Sequence, residues 1–339
     1  MKTMKFVELI VWILLFVFLV SIMVFFVLGK INFSGLVRGG KQIELLQQTV
    51  EADDITDIRI DMSSAEVIIN PSESDEISVI YRGPESLKNK LDLTVSVKGK
   101  ELTIEQGTTR QFFFMNWWIL TSRVLEISLP ESYSGDLVIV NSSGDLTVSG
   151  EYKLAEFTSS LTSGDCRLEN IECSDFKIVS TSGNVSLGSI EADELDISLT
   201  SGRIEAGILS GDGSVESVSG GVSIDKLNGK YRLSTTSGDI DVNAFAGSGS
   251  VSCSSGDIDI GVIESPGDLT IKTISGSVEL SLGKDTAYLI RANCTSGNVS
   301  ANFPMDFSDD RDSASGQSGN NPQNHLDVQT TSGDIDLAG

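Results

Sequence analysis

The sequence contains one histidine, His325, and it lies in a polar stretch. That scarcity excludes most histidine-based metal sites and the Ser-His-Asp type of triad. Proline is rare, at 6 of 339 residues, and aromatic residues make up only 6%. Cysteine occurs four times, at Cys166, Cys173, Cys253 and Cys294, which is too few for a disulfide framework in a chain this long. Basic residues are outnumbered 48 to 24, for a formal net charge of −24. Such a surface repels phosphate backbones, which excludes nucleic acid as a partner, and attracts cations or basic partners. What is plentiful is glycine, with 33 residues, alongside small β-forming residues. That balance suits narrow parallel sheets better than a globular α/β core.

The one long apolar run is Phe6 to Leu28, 23 residues interrupted by Glu8 and Ser21. A helix of that length spans the ~30 Å hydrocarbon core of a bilayer. A cleaved signal peptide is the rival reading. The run is longer than an ordinary signal h-region and no small-x-small cleavage site follows it, which favours an anchor. Lys2 and Lys5 precede the run while Lys30, Arg38 and Lys41 follow it, so flanking charge does not orient it. The acidic bulk downstream is better tolerated outside the cell. The expectation is a single-pass cell-membrane protein with residues 1–29 as anchor and an extracytoplasmic remainder. Residues 30–48 read as a linker carrying an apolar patch, Ile43, Leu45 and Leu46.

Beyond the linker an internal repeat dominates. Ser-Gly recurs with its glycine at Gly144, Gly164, Gly183, Gly202, Gly220, Gly238, Gly256, Gly276, Gly297 and Gly333. The spacing is 18 to 21 residues until a last step of 36. Two residues after each glycine stands an apolar residue, from Leu146 and Cys166 to Ile335, and four after stands another, from Val148 and Leu168 to Leu337. The residue between them is polar in every copy. This alternation of period two marks a half-buried strand after each turn. The strand before the turn alternates likewise, as in Phe176, Ile178 and Leu195, Ile197.

A unit of 18 to 20 residues cannot bury its own inward face, but stacking on like neighbours at ~4.8 Å does so. The expectation is an all-β, right-handed parallel β-solenoid of about ten coils, the hand following from the parallel crossovers. A propeller blade needs about 40 residues, so its period is wrong. A left-handed hexapeptide helix requires aliphatic residues four before the glycine, where this chain has Ser160, Ser198, Glu216, Ser234 and Lys272. Residues 49–130 show strand-like runs with irregular turns and read as an N-terminal cap to the solenoid of residues 131–339. Ser308 to Asn324 reads as a polar loop inserted in the last coil.

Three features stand out as candidate sites, and none implies a cofactor. The first is an acidic edge. Asp145, Asp165, Asp239, Asp257 and Asp334 directly follow the turn glycine, and Asp241, Asp259 and Asp336 lie two further on. In adjacent coils Asp239 and Asp257, and Asp241 and Asp259, come ~5 Å apart, where like charges repel. Two readings stand: a solvated edge of turn hydrogen bonds, or a cation edge neutralised by Ca²⁺ or a basic partner. The second is Phe112 to Leu120, with Phe112, Phe113, Phe114, Trp117 and Trp118. It is too short to span a bilayer and either lies in the membrane interface or plugs the first coil. The third is the cysteines. Cys253 and Cys294 share a repeat position two copies apart, about 9.6 Å on the ladder spacing and beyond disulfide reach. Free thiols are expected, with Cys166 and Cys173 left as the one open pairing. Carboxylates recur as repeat decoration without a distinct His, Lys or Arg constellation, so an enzyme is not expected.

Leu125 to Glu131 (LEISLPE) leads into Ser142 to Val148 (SSGDLTV) and then into repeated TSGD, TSGN and SSGD turns. Over residues 50 to 339 this array resembles a bacterial β-strand-repeat family of candidate adhesins that includes LiaG-like membrane proteins. The resemblance implies an extracytoplasmic, membrane-tethered β-helical domain with a cell-envelope polymer or protein as partner, and no catalytic residues. It also implies a rival role, as a ligand- or cation-binding accessory of an envelope-stress sensing system.

Overall fold

A computed structural model describes residues 42–88, 91–107, 123–265, 267–284 and 286–339. The chain divides into two compact units, residues 1–42 and 43–339, and all the described residues except Gln42 belong to the second. The apolar segment 6–28 lies outside the described residues. Among those described, no helix is long and apolar enough to cross a membrane.

The described chain is all-β. The N-terminal strands are β1 (Gln42–Glu51), β2 (Asp57–Met62), β3 (Glu66–Ser72), β4 (Glu76–Pro84), β5 (Leu93–Lys98), β6 (Glu101–Gln106) and β7 (Val124–Pro130). The middle holds β8 (Asp136–Asn141), β9 (Leu146–Lys153), β10 (Glu156–Ser163), β11 (Cys166–Ser182), β12 (Val185–Ser201), β13 (Ile204–Ser219), β14 (Val222–Ser237) and β15 (Ile240–Ser255). Then come β16 (Ile258–Ser265), β17 (Leu269–Ser275), β18 (Val278–Leu282), β19 (Tyr288–Ser296), β20 (Val299–Ala301), β21 (Met305–Phe307), β22 (Ser313–Ser318), β23 (Asn324–Ser332) and β24 (Ile335–Ala338). β1 begins inside the stretch expected to be linker, because Leu45, Leu46 and Val50 pack against the core.

Successive repeats pair in parallel and in register. Leu146, Cys166, Val185, Ile204, Val222 and Ile240 stand one above the next. The column two residues after the turn glycine is buried in every copy. The column four after is buried except at Ala301, which is partly covered. A slip of one residue would turn both columns to solvent, so the apolar pattern locks the register. One interior position compensates locally. Tyr231 is buried between Gly213 and Gly249 of the adjoining strands, in a column where other copies carry Leu, Phe or Ile.

Order in space departs from order in sequence at both ends. At the C-terminal end, β23 pairs with β17 on one side and β19 on the other, and β24 lies likewise between β18 and β20. The tenth repeat is thus inserted between the eighth and ninth. Cys253 and Cys294 are consequently three ladder steps apart, about 14 Å, and not the two steps that the sequence suggests. Within the polar insertion, Ser313–Ser318 forms β22, which runs antiparallel along β19 and carries β21 on its other edge. Its backbone groups satisfy the β19 edge that stacking alone would leave open.

The N-terminal end repeats this device. β2 lies between β6 and β8, and β3 between β7 and β9. The β2–β3 turn, Ser63 to Glu66, sits beneath the Gly144 turn and is an additional copy with Ala65 in the glycine position. β5 runs antiparallel on β6 and β4 antiparallel on β7, with β1 paired to β4. Antiparallel strands therefore cover both ends of the stack.

Candidate functional site

The turn glycines are fixed by close approach. All ten have φ between +117 and +154. A Cβ on Gly220 would lie 1.7 Å from the Gly202 carbonyl oxygen, and one on Gly183 would lie 2.0 Å from that of Gly164. Only glycine permits both the dihedral and this stacking distance.

Where an Asp follows the turn glycine, it builds a ladder of acceptors. Asp145 Oδ1 accepts the Asp165 N–H at 2.8 Å, and Asp165 Oδ1 accepts the Asn184 N–H at 2.9 Å. Asp239 Oδ1 accepts the Asp257 N–H at 2.9 Å, Asp257 Oδ1 the Ser277 N–H at 2.7 Å, and Asp334 Oδ1 the Asn298 N–H at 2.8 Å. Each carboxylate thus satisfies an otherwise orphaned turn N–H of the next coil.

Two residues further on, Asp241, Asp259, Glu279 and Asp336 stand consecutively. The inserted C-terminal repeat makes this run continuous by bringing Asp336 against Glu279. Partial burial raises the Asp259 carboxyl pKa above its ordinary value, and the Glu279 and Asp241 charges add to the shift. The structure therefore groups Asp239, Asp241, Asp257 and Asp259 on one edge. Among the described residues, no group of three or more His, Cys, Asp or Glu side chains is placed to hold a metal ion.

A longer acidic column was missed in the sequence. Eight residues before the turn glycine stand Asp136, Glu156, Asp175, Glu194 and Asp212. The register places Glu156, Asp175, Glu194 and Asp212 one above the next, and Phe157 over Leu137 sets Glu156 over Asp136. Asp57 lies beneath Asp136 and Glu101 beneath Asp57. Seven carboxylates thus follow one another on one edge. The Asp136 carboxyl is raised, first by burial and then by Asp57. The column ends at Lys230, whose N–H donates to Asp212 Oδ1 at 2.9 Å. The column's Glu156, Asp175, Glu194 and Asp212 line a groove of about 620 Å³ together with Thr158, Lys177, Asp196 and Ser214. Lys177 and Asp196 form an ion pair at 2.8 Å across it.

Phe112, Phe113, Phe114, Trp117 and Trp118 lie outside the described residues. The residues that flank that segment are held by a polar network. Gln106 Oε1 accepts the N–H groups of Ser63 and Ser64 at 3.0 and 2.9 Å, and its Nε2 donates to Asp92 at 3.2 Å. Arg123 pairs with Asp92 at 3.4 Å and donates to Ser64 Oγ at 2.9 Å. All four cysteines are buried free thiols. Burial pushes the thiols of Cys166 and Cys173 up to about 12.

In-register parallel repeats closed by antiparallel strands, with polar side chains as outward columns, define an all-β repeat protein. The chain belongs to the Toastrack DUF4097 family, which it matches over residues 55–230 and 212–338. No curated protein matches the sequence. Among solved structures, a candidate cell adhesion protein from Clostridium sporogenes is 14% identical, with a TM-score of 0.27, over 88% of this chain and 99% of that one. A candidate adhesin from Parabacteroides distasonis is 12% identical, with a TM-score of 0.47, over 88% and 97%. A candidate adhesin from Bacteroides fragilis is 13% identical, with a TM-score of 0.35, over the same shares. At these values the likenesses carry no argument about ligands.

Proposed function

We propose that the chain is a non-enzymatic, membrane-anchored scaffold of the adhesin type, displayed outside the cytoplasm. Its ladders wind as a right-handed β-solenoid, the hand favoured for parallel crossovers. Residues 6–28 serve as the single-pass anchor, and Phe112, Phe113, Phe114, Trp117 and Trp118 rest in the membrane interface. The placement of their flanks supports that position. Residues 107–123 join β6 to β7, the coil beneath β2–β3. β1, which follows the apolar segment in the chain, lies at the same end through its pairing with β4.

The observation that carries the reading is the column of seven carboxylates from Glu101 to Asp212. It is a regularly spaced outward array along an open groove, so it suits an extended cationic polymer or a basic protein face of the cell envelope. Protease shaving of intact cells tests the topology: cleavage in the repeat domain is expected, and protection overturns the reading. Pull-down of envelope components with the detergent-solubilised full chain tests the partner. Capture should fall when Glu156, Asp175 and Glu194 are changed to Gln, Asn and Gln.

The raised carboxyl of Asp259 favours a second reading, as a cation-binding accessory of envelope-stress sensing. A cation on Asp239, Asp241, Asp257 and Asp259 would relieve their repulsion. The reading requires millimolar Ca²⁺ to raise the melting temperature, and an unchanged value rules it out.

A further inference from the structure

Charge is unevenly divided along the stack. Residues 42–81 hold ten acidic and one basic side chain and residues 124–339 hold 33 and 11, whereas residues 82–123 hold seven basic and four acidic ones. The latter stretch supplies β5 and β6 at the N-terminal end. Their hairpin turn is Lys98–Gly99–Lys100, with both lysines exposed, and Lys88 is exposed ahead of β5. Leu91 precedes β5 and Val97 lies within it, and they are 45% and 44% exposed. Other exposed large apolar residues, such as Val179 and Ile208, sit within the acidic body. Cationic and apolar side chains are thus strung along β5, at the end of the stack where β1 leads in from the N-terminal segment.

We infer that this end is a seat for an anionic lipid surface. Lys88, Lys98 and Lys100 meet the headgroups, and Leu91 and Val97 reach the boundary with the acyl chains. Each lysine near an anionic surface is worth about fivefold in partitioning. The same headgroups repel the acidic body, so the stack stands away from the bilayer with its carboxylate columns outward. This rests on the anchored reading and adds to it the face that meets lipid and the orientation that results.

The test uses the full chain in phosphatidylcholine vesicles with and without phosphatidylglycerol. Val97→Cys, or Thr295→Cys at the opposite end, is labelled with bimane; the native thiols are buried. Headgroup spin-labelled lipid should quench the label at position 97 several-fold more than that at position 295, in the anionic vesicles only. The contrast should vanish in the Lys88→Glu, Lys98→Glu, Lys100→Glu variant and at about 1 M salt, where the screening length is about 3 Å. Equal quenching at the two positions overturns the seat. So does a contrast indifferent to charge reversal and lipid, or one produced equally by a soluble anionic polymer. Carbonate extraction separates the two readings. A chain that resists extraction but shows equal quenching loses the seat and keeps the anchor. One that is extracted yet shows the contrast loses the anchor and keeps the seat, and one that is extracted with no contrast loses both.

Discussion

Cross-linking can decide whether the tenth repeat lies between the eighth and ninth. Ser275, Ser296 and Ser332 occupy the same position, immediately before the turn glycines, and all are exposed. Ser332 pairs directly with Ser275 on one side and Ser296 on the other. Adjacent coils put the paired positions ~4.8 Å apart, within the Cα separation that a disulfide accepts; two steps give about 9.6 Å, which is beyond it. The pairs Ser275→Cys with Ser332→Cys and Ser296→Cys with Ser332→Cys should therefore close on mild oxidation. Ser275→Cys with Ser296→Cys should stay reduced. Stacking in sequence order demands the opposite for the first and third pairs and the same for the second, so the second is the positive control. Mass spectrometry of non-reduced peptides reads the outcome. Closing the first pair restrains a loop of 57 residues. Chain entropy then predicts stabilisation on the order of 4 kcal/mol, seen as a rise in melting temperature that reductant abolishes. An efficient bond between positions 275 and 296 would refute the inserted order.

Three further outcomes follow from the packing. Gly220→Ala should cost more than about 3 kcal/mol in thermal or denaturant unfolding, because φ is +140 and the new Cβ meets the Gly202 carbonyl. Gly99→Ala, at φ +65 with open space around it, should cost only about 1 kcal/mol, and equal losses would show that stacking distance is not what selects glycine. Tyr231→Phe should raise stability by about 1 kcal/mol, since the buried hydroxyl has no hydrogen-bond partner; a loss would place an unseen partner there. The Asp136 carboxyl is raised in the folded chain, so its contribution is favourable below the unfolded pKa and is lost as pH rises through the folded one. Melting temperature should thus climb on mild acidification, and Asp136→Asn should raise it at pH 7 and flatten the slope; an unaltered slope in the variant would remove Asp136 titration as its cause.

The strands and turns were legible because each rule acts within one repeat. Alternation at Ile258 and Ile260 sets the inward face, and the Ser-Gly pair sets the turn. The acceptor ladder of Asp239 and Asp257 was legible for the same reason. What escaped was the arrangement between repeats. Any copy can stack on any other, because all present the same apolar columns, so Gly333 beside Gly276 cannot be read from spacing. The β2–β3 turn escaped because Ala65 stands where the other copies have glycine. Five members of the seven-carboxylate column stand at a fixed offset, eight before the turn glycine, and were legible in principle; Asp57 and Glu101 were not, because they come from strands out of sequence order.

The inserted repeats have a mechanical consequence for a stack of like coils. A terminal coil stacked last would be held by a single ladder and would fray from its free end. β23 and β24 are instead each held by two ladders, so releasing the C-terminal segment breaks both sides together. Beyond the parallel coils come β22 and then β21 at one end, and β4 with β1, and β5, at the other; the antiparallel hydrogen bonds of β22, β4 and β5 satisfy the coil edges without inviting a further parallel coil. A repeat that could in principle add copies without limit is thereby closed. Its two ends can differ in charge and apolar character, which a sequence-ordered stack of like units would not provide.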